Sequence, residues 1–264
     1  MVVASPELTG AAGPTYESQV AALYLVGLLV EGGVLGLEGA NTQRVAVQRA
    51  ALGVPLDDIV VVGRRRDGCE AELHLQAKRE LSLTAARSNA SFRAIVYAAW
   101  DTFAAPTFSR GVHRIGGVTE YISFEKLRAA RALHLAAQHA HNGAELRARL
   151  DVPGLIGEST QSVATSVAKL IEERVGRLPS DEEIWKFWRH FIILHIETSG
   201  EGARDKHHAI ERLKNNLPIG EADRAAELFD ALEVIAREMS ATAGSLDRQT
   251  LLDRLALLHQ GPAG

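Results

Sequence analysis

Asp57-Asp58-Ile59-Val60-Val61-Val62-Gly63-Arg64-Arg65-Arg66-Asp67-Gly68-Cys69-Glu70-Ala71-Glu72-Leu73-His74-Leu75-Gln76-Ala77-Lys78 reads as two strands joined by a charged turn. Ile59 to Val62 is β-branched and bounded by turn residues, and Glu70 to Lys78 alternates well enough to pair with it. The turn decides the register. A two-residue loop at Asp67-Gly68 pairs residues whose numbers sum to 135 and sets Asp57 opposite Lys78. A three-residue loop, Arg66-Asp67-Gly68 with a left-handed glycine, shifts the sum to 134 and sets Asp58 opposite Gln76. Both aspartates stay open as partners of the second strand, with Asp58 preferred because it abuts the apolar run.

Upstream, Tyr16 to Val30 is apolar apart from Glu17 and a few neutral polar residues, as expected of a helix buried on most sides after a Gly13-Pro14 start. Residues 32–39 are Gly-rich and read as a turn or loop, and Arg44 to Ala51 fits a short strand or a helix equally well. Downstream, a helix is expected from about Ser88 to Phe103, then an irregular piece rich in Arg, Gly and Thr, then a helix from Ser123 to Ala140. Beyond Pro153 the strand signals cease. Helices are expected at Ser159–Val175, at Asp181–Ile196 behind a Ser180/Glu183 capping box, at Gly202–Asn215, at Glu221–Ser240 and at Leu246–His259, capped by Ser245. This order predicts an α/β (α+β) protein: a small mixed sheet flanked by helices in residues 1–150, followed by an all-helical extension or connector in residues 151–264.

The 264 residues carry a net charge of −4, which hides an asymmetry. Residues 1–150 hold 16 Lys+Arg against 14 Asp+Glu, and residues 151–264 hold 13 against 19. Between Arg44 and Arg114 the balance is 11 basic to 7 acidic, a mild bias that permits phosphate contacts but falls short of a dedicated nucleic-acid-binding composition. No apolar run has the roughly 18 residues of a membrane span. The single cysteine, Cys69, excludes an internal disulfide, and with no export signal read at the N-terminus a cytoplasmic protein is expected.

Chemistry enters through the end of the second strand. Gln76 and Lys78 are two residues apart and share a strand face. An Asp58 carboxylate, the Gln76 side-chain carbonyl and the Ala77 backbone oxygen are the hard oxygen ligands that Mg²⁺ prefers, and Lys78 supplies a positive group beside a reacting phosphodiester. Glu17, an isolated carboxylate in an apolar helix, is either a first-turn residue favoured by the helix N-terminus or a paired, metal-related group.

The run Gly13-Pro14-Thr15-Tyr16-Glu17 leading into Val20-Ala21-Ala22, then Asp57-Asp58-Ile59-Val60, then Leu75-Gln76-Ala77-Lys78 resembles the Cap-type double-stranded DNA endonuclease domain of bacterial anti-phage defence proteins, within the restriction-endonuclease-like superfamily. The resemblance covers roughly residues 10–125 and takes in Phe92 and the Ala99-Trp100 pair. It implies a restriction-endonuclease-like core with metal bound at Glu17, Asp58 and Gln76, Lys78 as the catalytic cation, Mg²⁺ as cofactor with Mn²⁺ able to substitute, and hydrolysis of double-stranded DNA. Gln76 departs from the commoner Glu of the pattern and removes a charge. Two centres facing one duplex imply a homo-oligomer. The family also implies fusion to, or work with, an ATPase or sensor module, although no Gly-x-x-x-x-Gly-Lys-Ser/Thr loop occurs here. A catalytically silent DNA-binding or assembly module is the alternative.

Ser82, Thr84, Arg87 and Ser88, just after Lys78, are placed to meet a DNA backbone, and Arg110 and Arg114 form a second basic loop. Arg64-Arg65-Arg66 fits a solvated turn as well as a phosphate grip. The histidines at 134, 139, 141, 207 and 208 have no cysteine or carboxylate at a metal-binding spacing. Trp185, Phe187, Trp188 and Phe191 are expected to pack the helical half together.

Overall fold

Gly68 adopts a φ of +84° in the turn between β3 (Ile59–Arg65) and β4 (Glu70–Glu80). Its N–H donates to the Arg65 carbonyl at 3.0 Å, the Arg65 N–H donates to the Cys69 carbonyl at 2.9 Å, and the Asp67 carboxylate accepts from the Cys69 N–H at 2.9 Å. This is the three-residue loop, and the antiparallel pairs Ile59↔Leu75, Val60↔His74 and Val61↔Leu73 all obey the 134 register. Arg64 and Arg65 sit in exposed ion pairs with Glu70 and Asp67, at 3.6 Å each, as a solvated turn requires.

The computed structural model describes residues 15–48, 53–109, 111–152, 157–200, 203–218 and 220–260. Among them the fold is mixed, with α-helices and β-strands in one chain, and no helix is long and apolar enough to cross a membrane. The chain forms two compact units, one of residues 1–77 with 196–264 and one of residues 78–195.

In the first unit, α1 (Tyr16–Leu29) starts at Thr15, whose side chain accepts from the Ser18 N–H at 3.2 Å. Val20, Ala21, Ala22, Leu25 and Val26 are wholly buried, because α1 packs on the sheet with one side and on α8 (Ala225–Thr242) with another. The sheet face beneath it is built from Val45, Val47, Ile59, Val61, Leu73 and Leu75, all fully buried. The stretch read as a loop and an undecided segment is largely one strand, β2 (Leu37–Val47), which follows the short β1 (Gly33–Val34) and pairs antiparallel with β3 across a bulge at Gln43. Two further expectations are corrected. The C-terminal part is not all helical, since β7 (Ser245–Asp247) adds to β2 between α8 and α9 (Arg248–Gln260), with α7 (Arg204–Asn216) preceding them. And Asp247, not Ser245, caps α9, accepting from the Thr250 N–H at 2.9 Å and its hydroxyl at 2.8 Å.

The second unit holds the end of β4, α2 (Ala90–Ala104), β5 (Arg114–Tyr121), α3 (Phe124–His139), α4 (Gly143–Asp151), α5 (Glu158–Val175), α6 (Asp181–Trp188) and β6 (Phe191–His195). The Ser180/Glu183 capping box opens α6 as expected. The helix expected to run on to Ile196 stops at Trp188, because Phe191-Ile192-Ile193-Leu194 pairs in parallel with β5. β5 itself falls in the piece read as irregular. Its Gly116-Gly117 pair hides the strand signal, yet Gly116 is required there: a Cβ would stand 1.8 Å from the Ile192 carbonyl oxygen.

The aromatic residues of α6 and β6 bind a core different from the one expected. Phe187 stacks on Phe191 with centroids 4.9 Å apart and packs against Trp100 and Phe103 of α2 at 5.7 and 5.9 Å. Phe92 and Ala99 are wholly buried in the same unit, as core residues. His190 lies among these rings with its Nδ1 2.9 Å from the His113 carbonyl, and burial lowers its pKa to about 4.

Two outcomes follow from this packing. Gly116→Ala is expected to destabilise the protein by ~3 kcal/mol in urea unfolding, whereas Gly117→Ala, whose Cβ meets the movable side chains of Ile95 at 3.1 Å and Ile193 at 3.5 Å, costs ~1 kcal/mol. His190 is held neutral in the folded state while the unfolded chain takes up the proton near its ordinary pKa of 6.5. Its contribution is therefore present above about pH 6.5 and is lost as pH falls toward 4, a loss of ~3 kcal/mol. Denaturation at pH 7 and pH 4 measures it, and His190→Gln removes that part of the pH slope.

Candidate functional site

Asp58 closes the strand pair from outside. Its Oδ2 accepts from the Ala77 backbone N–H at 2.9 Å, so the carboxylate reaches β4 one residue beyond Gln76, the position that the 134 register sets opposite Asp58. Both Asp57 and Asp58 are buried, at 8% and 9% exposure. Gln76 precedes Ala77, and its Oε1 is buried with no hydrogen-bond partner among the described residues.

Glu17 joins the same neighbourhood through a residue the sequence did not reveal. Gln48, just past β2, donates from its backbone N–H to the Asp58 carbonyl at 3.3 Å and from its side-chain amide to Glu17 Oε1 at 2.9 Å. Ser240 of α8 donates its hydroxyl to the same Glu17 oxygen at 3.2 Å. Gln48 holds a φ of +52°, a left-handed conformation that costs a residue with a Cβ about 1 kcal/mol or more. Glu17, Gln48, Asp58 and Ala77 thus form one hydrogen-bonded chain across α1, β2, β3 and β4. No local pattern marks Gln48 or Ser240, since their roles arise only when α1, α8 and the strand ends meet.

Lys78 is half-buried at the start of the second unit. The segment after it is irregular but held at both ends. The Leu81 N–H donates to the Tyr121 carbonyl at 2.9 Å, Leu81 and Leu83 are buried, and the Asn89 amide donates to the carbonyls of Ser82 and Thr84 at 2.6 and 3.0 Å and to the Thr84 hydroxyl at 3.2 Å. Asn89 also caps α2, accepting from the Phe92 N–H at 3.3 Å. Ser82, Arg87 and Ser88 are exposed on this clasped segment. Arg114 is not with them: Tyr121, at the far end of β5, lies beside Leu81, which leaves Arg114 about 23 Å back along the strand. Arg110 lies outside the described residues.

No family model matches the chain, and no curated protein matches it. Solved structures do. The chain is similar to an Acinetobacter baumannii Cap4 SAVED/CARF-domain containing receptor with the cyclic trinucleotide 3'3'3'-cAAA, with a TM-score of 0.51 and 12% identity over 94% of this chain and 45% of that one. The same receptor with 2'3'3'-cAAA gives a TM-score of 0.50 and 11% identity over 95% and 46%. A Moraxella osloensis Cap4 SAVED/CARF-domain containing receptor gives 0.45 and 12% over 93% and 47%. The chain therefore spans just under half the length of the receptors whose fold it shares.

These findings correct the endonuclease expectation. The two structures that share the fold at a TM-score of 0.50 or more are described as a receptor with a cyclic trinucleotide. Asp58 Oδ2 and Glu17 Oε1 accept hydrogen bonds from the protein.

Removing the Asp58 carboxylate strands the Ala77 N–H at a buried position. Asp58→Ala is expected to lower stability by ~2 kcal/mol, and Asp58→Asn, which keeps an acceptor, by about half that. Urea unfolding of the two variants measures the difference.

Proposed function

We propose that this chain is a non-catalytic module of a receptor that responds to a small cyclic oligonucleotide, and that its segment from Lys78 to Ser88 meets the ligand's phosphodiesters. The reading is carried by one observation, the shared fold over 94% of the chain with a receptor solved with 3'3'3'-cAAA. Fold alone does not assign a ligand, so the site must supply the rest of the reason. Ser82 and Ser88 offer hydroxyls, Lys78 and Arg87 offer cations, and Asn89 fixes the intervening backbone before any ligand arrives. A pre-set loop of hydroxyl and cationic donors loses little entropy on binding phosphate oxygens.

The charge balance fits such a ligand better than the duplex first expected. The 11 to 7 bias between Arg44 and Arg114 is weak against a polymer that presents a charge every ~1.7 Å. It is adequate for a ring with three phosphodiesters. The remaining half of the receptors has no counterpart in these 264 residues, and the proposal includes a partner module in that role, within the anti-phage setting that the sequence resemblance implies.

Calorimetric titration of the chain with 3'3'3'-cAAA, 2'3'3'-cAAA and the linear trinucleotide tests this. Saturable binding of a cyclic form is expected, weakened about tenfold by Lys78→Ala or Arg87→Ala, roughly 1.4 kcal/mol for each. Absence of binding by both cyclic forms, or affinities untouched by both substitutions, overturns the reading.

A further inference from the structure

The first unit carries a second polar site, on the face of the sheet opposite Val45, Val61 and Leu73. Cross-strand pairing lines up Arg44, Val62 and Glu72 in one row, and Ser245, Ala46, Val60 and His74 in the next. These residues wall a cavity of about 200 Å³. Its floor is apolar, with Val60 and Val62 at 8% and 4% exposure. Two of its walls are not. His74 is 7% exposed, its Nε2 lies 2.9 Å from the Glu72 carboxylate, and its Nδ1 is buried with no hydrogen-bond partner among the described residues. Arg44 is exposed at the rim and makes no ion pair with a described acid; the acid directly across from it, Asp247, spends its carboxylate on Thr250.

A histidine so placed is fixed in function as well as in position. Because a carboxylate only accepts, Glu72 orients Nε2 as the N–H that points to it, and Nδ1 is left as the ring nitrogen without a partner among the described residues, in a side chain that lines the cavity. Depending on whether the ring holds one proton or two, Nδ1 accepts or donates. A phosphate group satisfies both states, since it carries acceptor oxygens and, while it keeps a proton, a P–OH donor. Sulfate at neutral pH has no proton to donate. Arg44 adds the planar, permanent charge that phosphate oxygens match. Arg44 and His74 stand on strands two apart, about 10 Å, a gap that an extended guanidinium and an oxyanion fill together.

We propose that Arg44 and His74 form a binding site for a phosphate group, either inorganic phosphate or the phosphomonoester of a small molecule, held over Val60 and Val62 on the outer face of β2, β3 and β4. The site is independent of the segment after Lys78 and of the ligand assigned to it.

Long-range ¹H–¹⁵N NMR of the histidine side chains reads Nδ1 of His74 directly. Titration with millimolar inorganic phosphate at constant ionic strength and pH is expected to move that resonance saturably, with sulfate at least about tenfold weaker. Arg44→Ala, at an exposed position that leaves the fold intact, weakens the phosphate response about tenfold, and Arg44→Lys retains part of it. A parallel titration with ribose 5-phosphate separates the two sources: tighter binding than inorganic phosphate assigns a phosphomonoester, weaker binding assigns the free ion. A His74 Nδ1 that does not move with either compound overturns the proposal, as does a response identical in Arg44→Ala.

Discussion

The left-handed Gly68 and the three-residue turn around it constrain everything else in the first unit. With the register at 134, Ile59, Val61, Leu73 and Leu75 point to the α1 side and bury completely, while Val60, Val62, Glu72 and His74 point to the other. A slip to 135 would move one strand's set to the wrong face, exposing two or three large apolar side chains at a cost of ~1.5–3 kcal/mol each. The same register brings Asp58 to Ala77 and aligns His74 with Val60. Both polar sites of the unit are therefore consequences of how one turn closes.

Much of this was legible before any coordinates. Apolar-polar alternation located β3 and β4, and the Arg66-Asp67-Gly68 turn offered only two registers, one of which the chain adopts. The capping box of α6 and the largely apolar α1 were equally plain, because each is written in neighbouring residues. What escaped was written elsewhere. β5 contains Gly116-Gly117, which depresses any strand signal, and those glycines are explained only by the closeness of Ile192 from a segment 76 residues away. β6 follows directly on an amphipathic helix and shares its aromatic residues, so its local pattern continues the helix until a parallel partner is supplied. In the candidate site, Asp58 was found through the register, whereas Gln48, Ser240 and Asn89 act on groups that the sequence does not place beside them.

The endonuclease expectation shows how residue identity and residue use can part. An Asp, a Gln-x-Lys and an upstream Glu in that order describe a set of donors; they do not state what each donor is bonded to. Asp58 and Glu17 both carry hydrogen bonds from backbone or side-chain donors. The same bonds rigidify the strand ends, a use that a receptor module needs as much as an enzyme does. Fold likeness bears on the fold, and the chemistry of a ligand has to be argued from loops and cavities.

Gln48 makes the point most sharply. A left-handed glutamine is an expensive choice where glycine or asparagine would cost less, and it is tolerated only if the surroundings repay the strain. Here the repayment is visible in its bonds: the backbone ties β2 to Asp58, and the amide holds the Glu17 carboxylate that Ser240 approaches from α8. Glycine would relieve the dihedral but take away the amide that donates to Glu17, a charge in the first turn of a helix that is apolar beyond Gln19. The hydrogen bond from the Gln48 amide to the carboxylate, worth ~1.5–3 kcal/mol, outweighs the strain of one residue. Glu17, odd in its own helix, is thus accounted for as the acceptor through which α1, β2 and α8 are locked to one another.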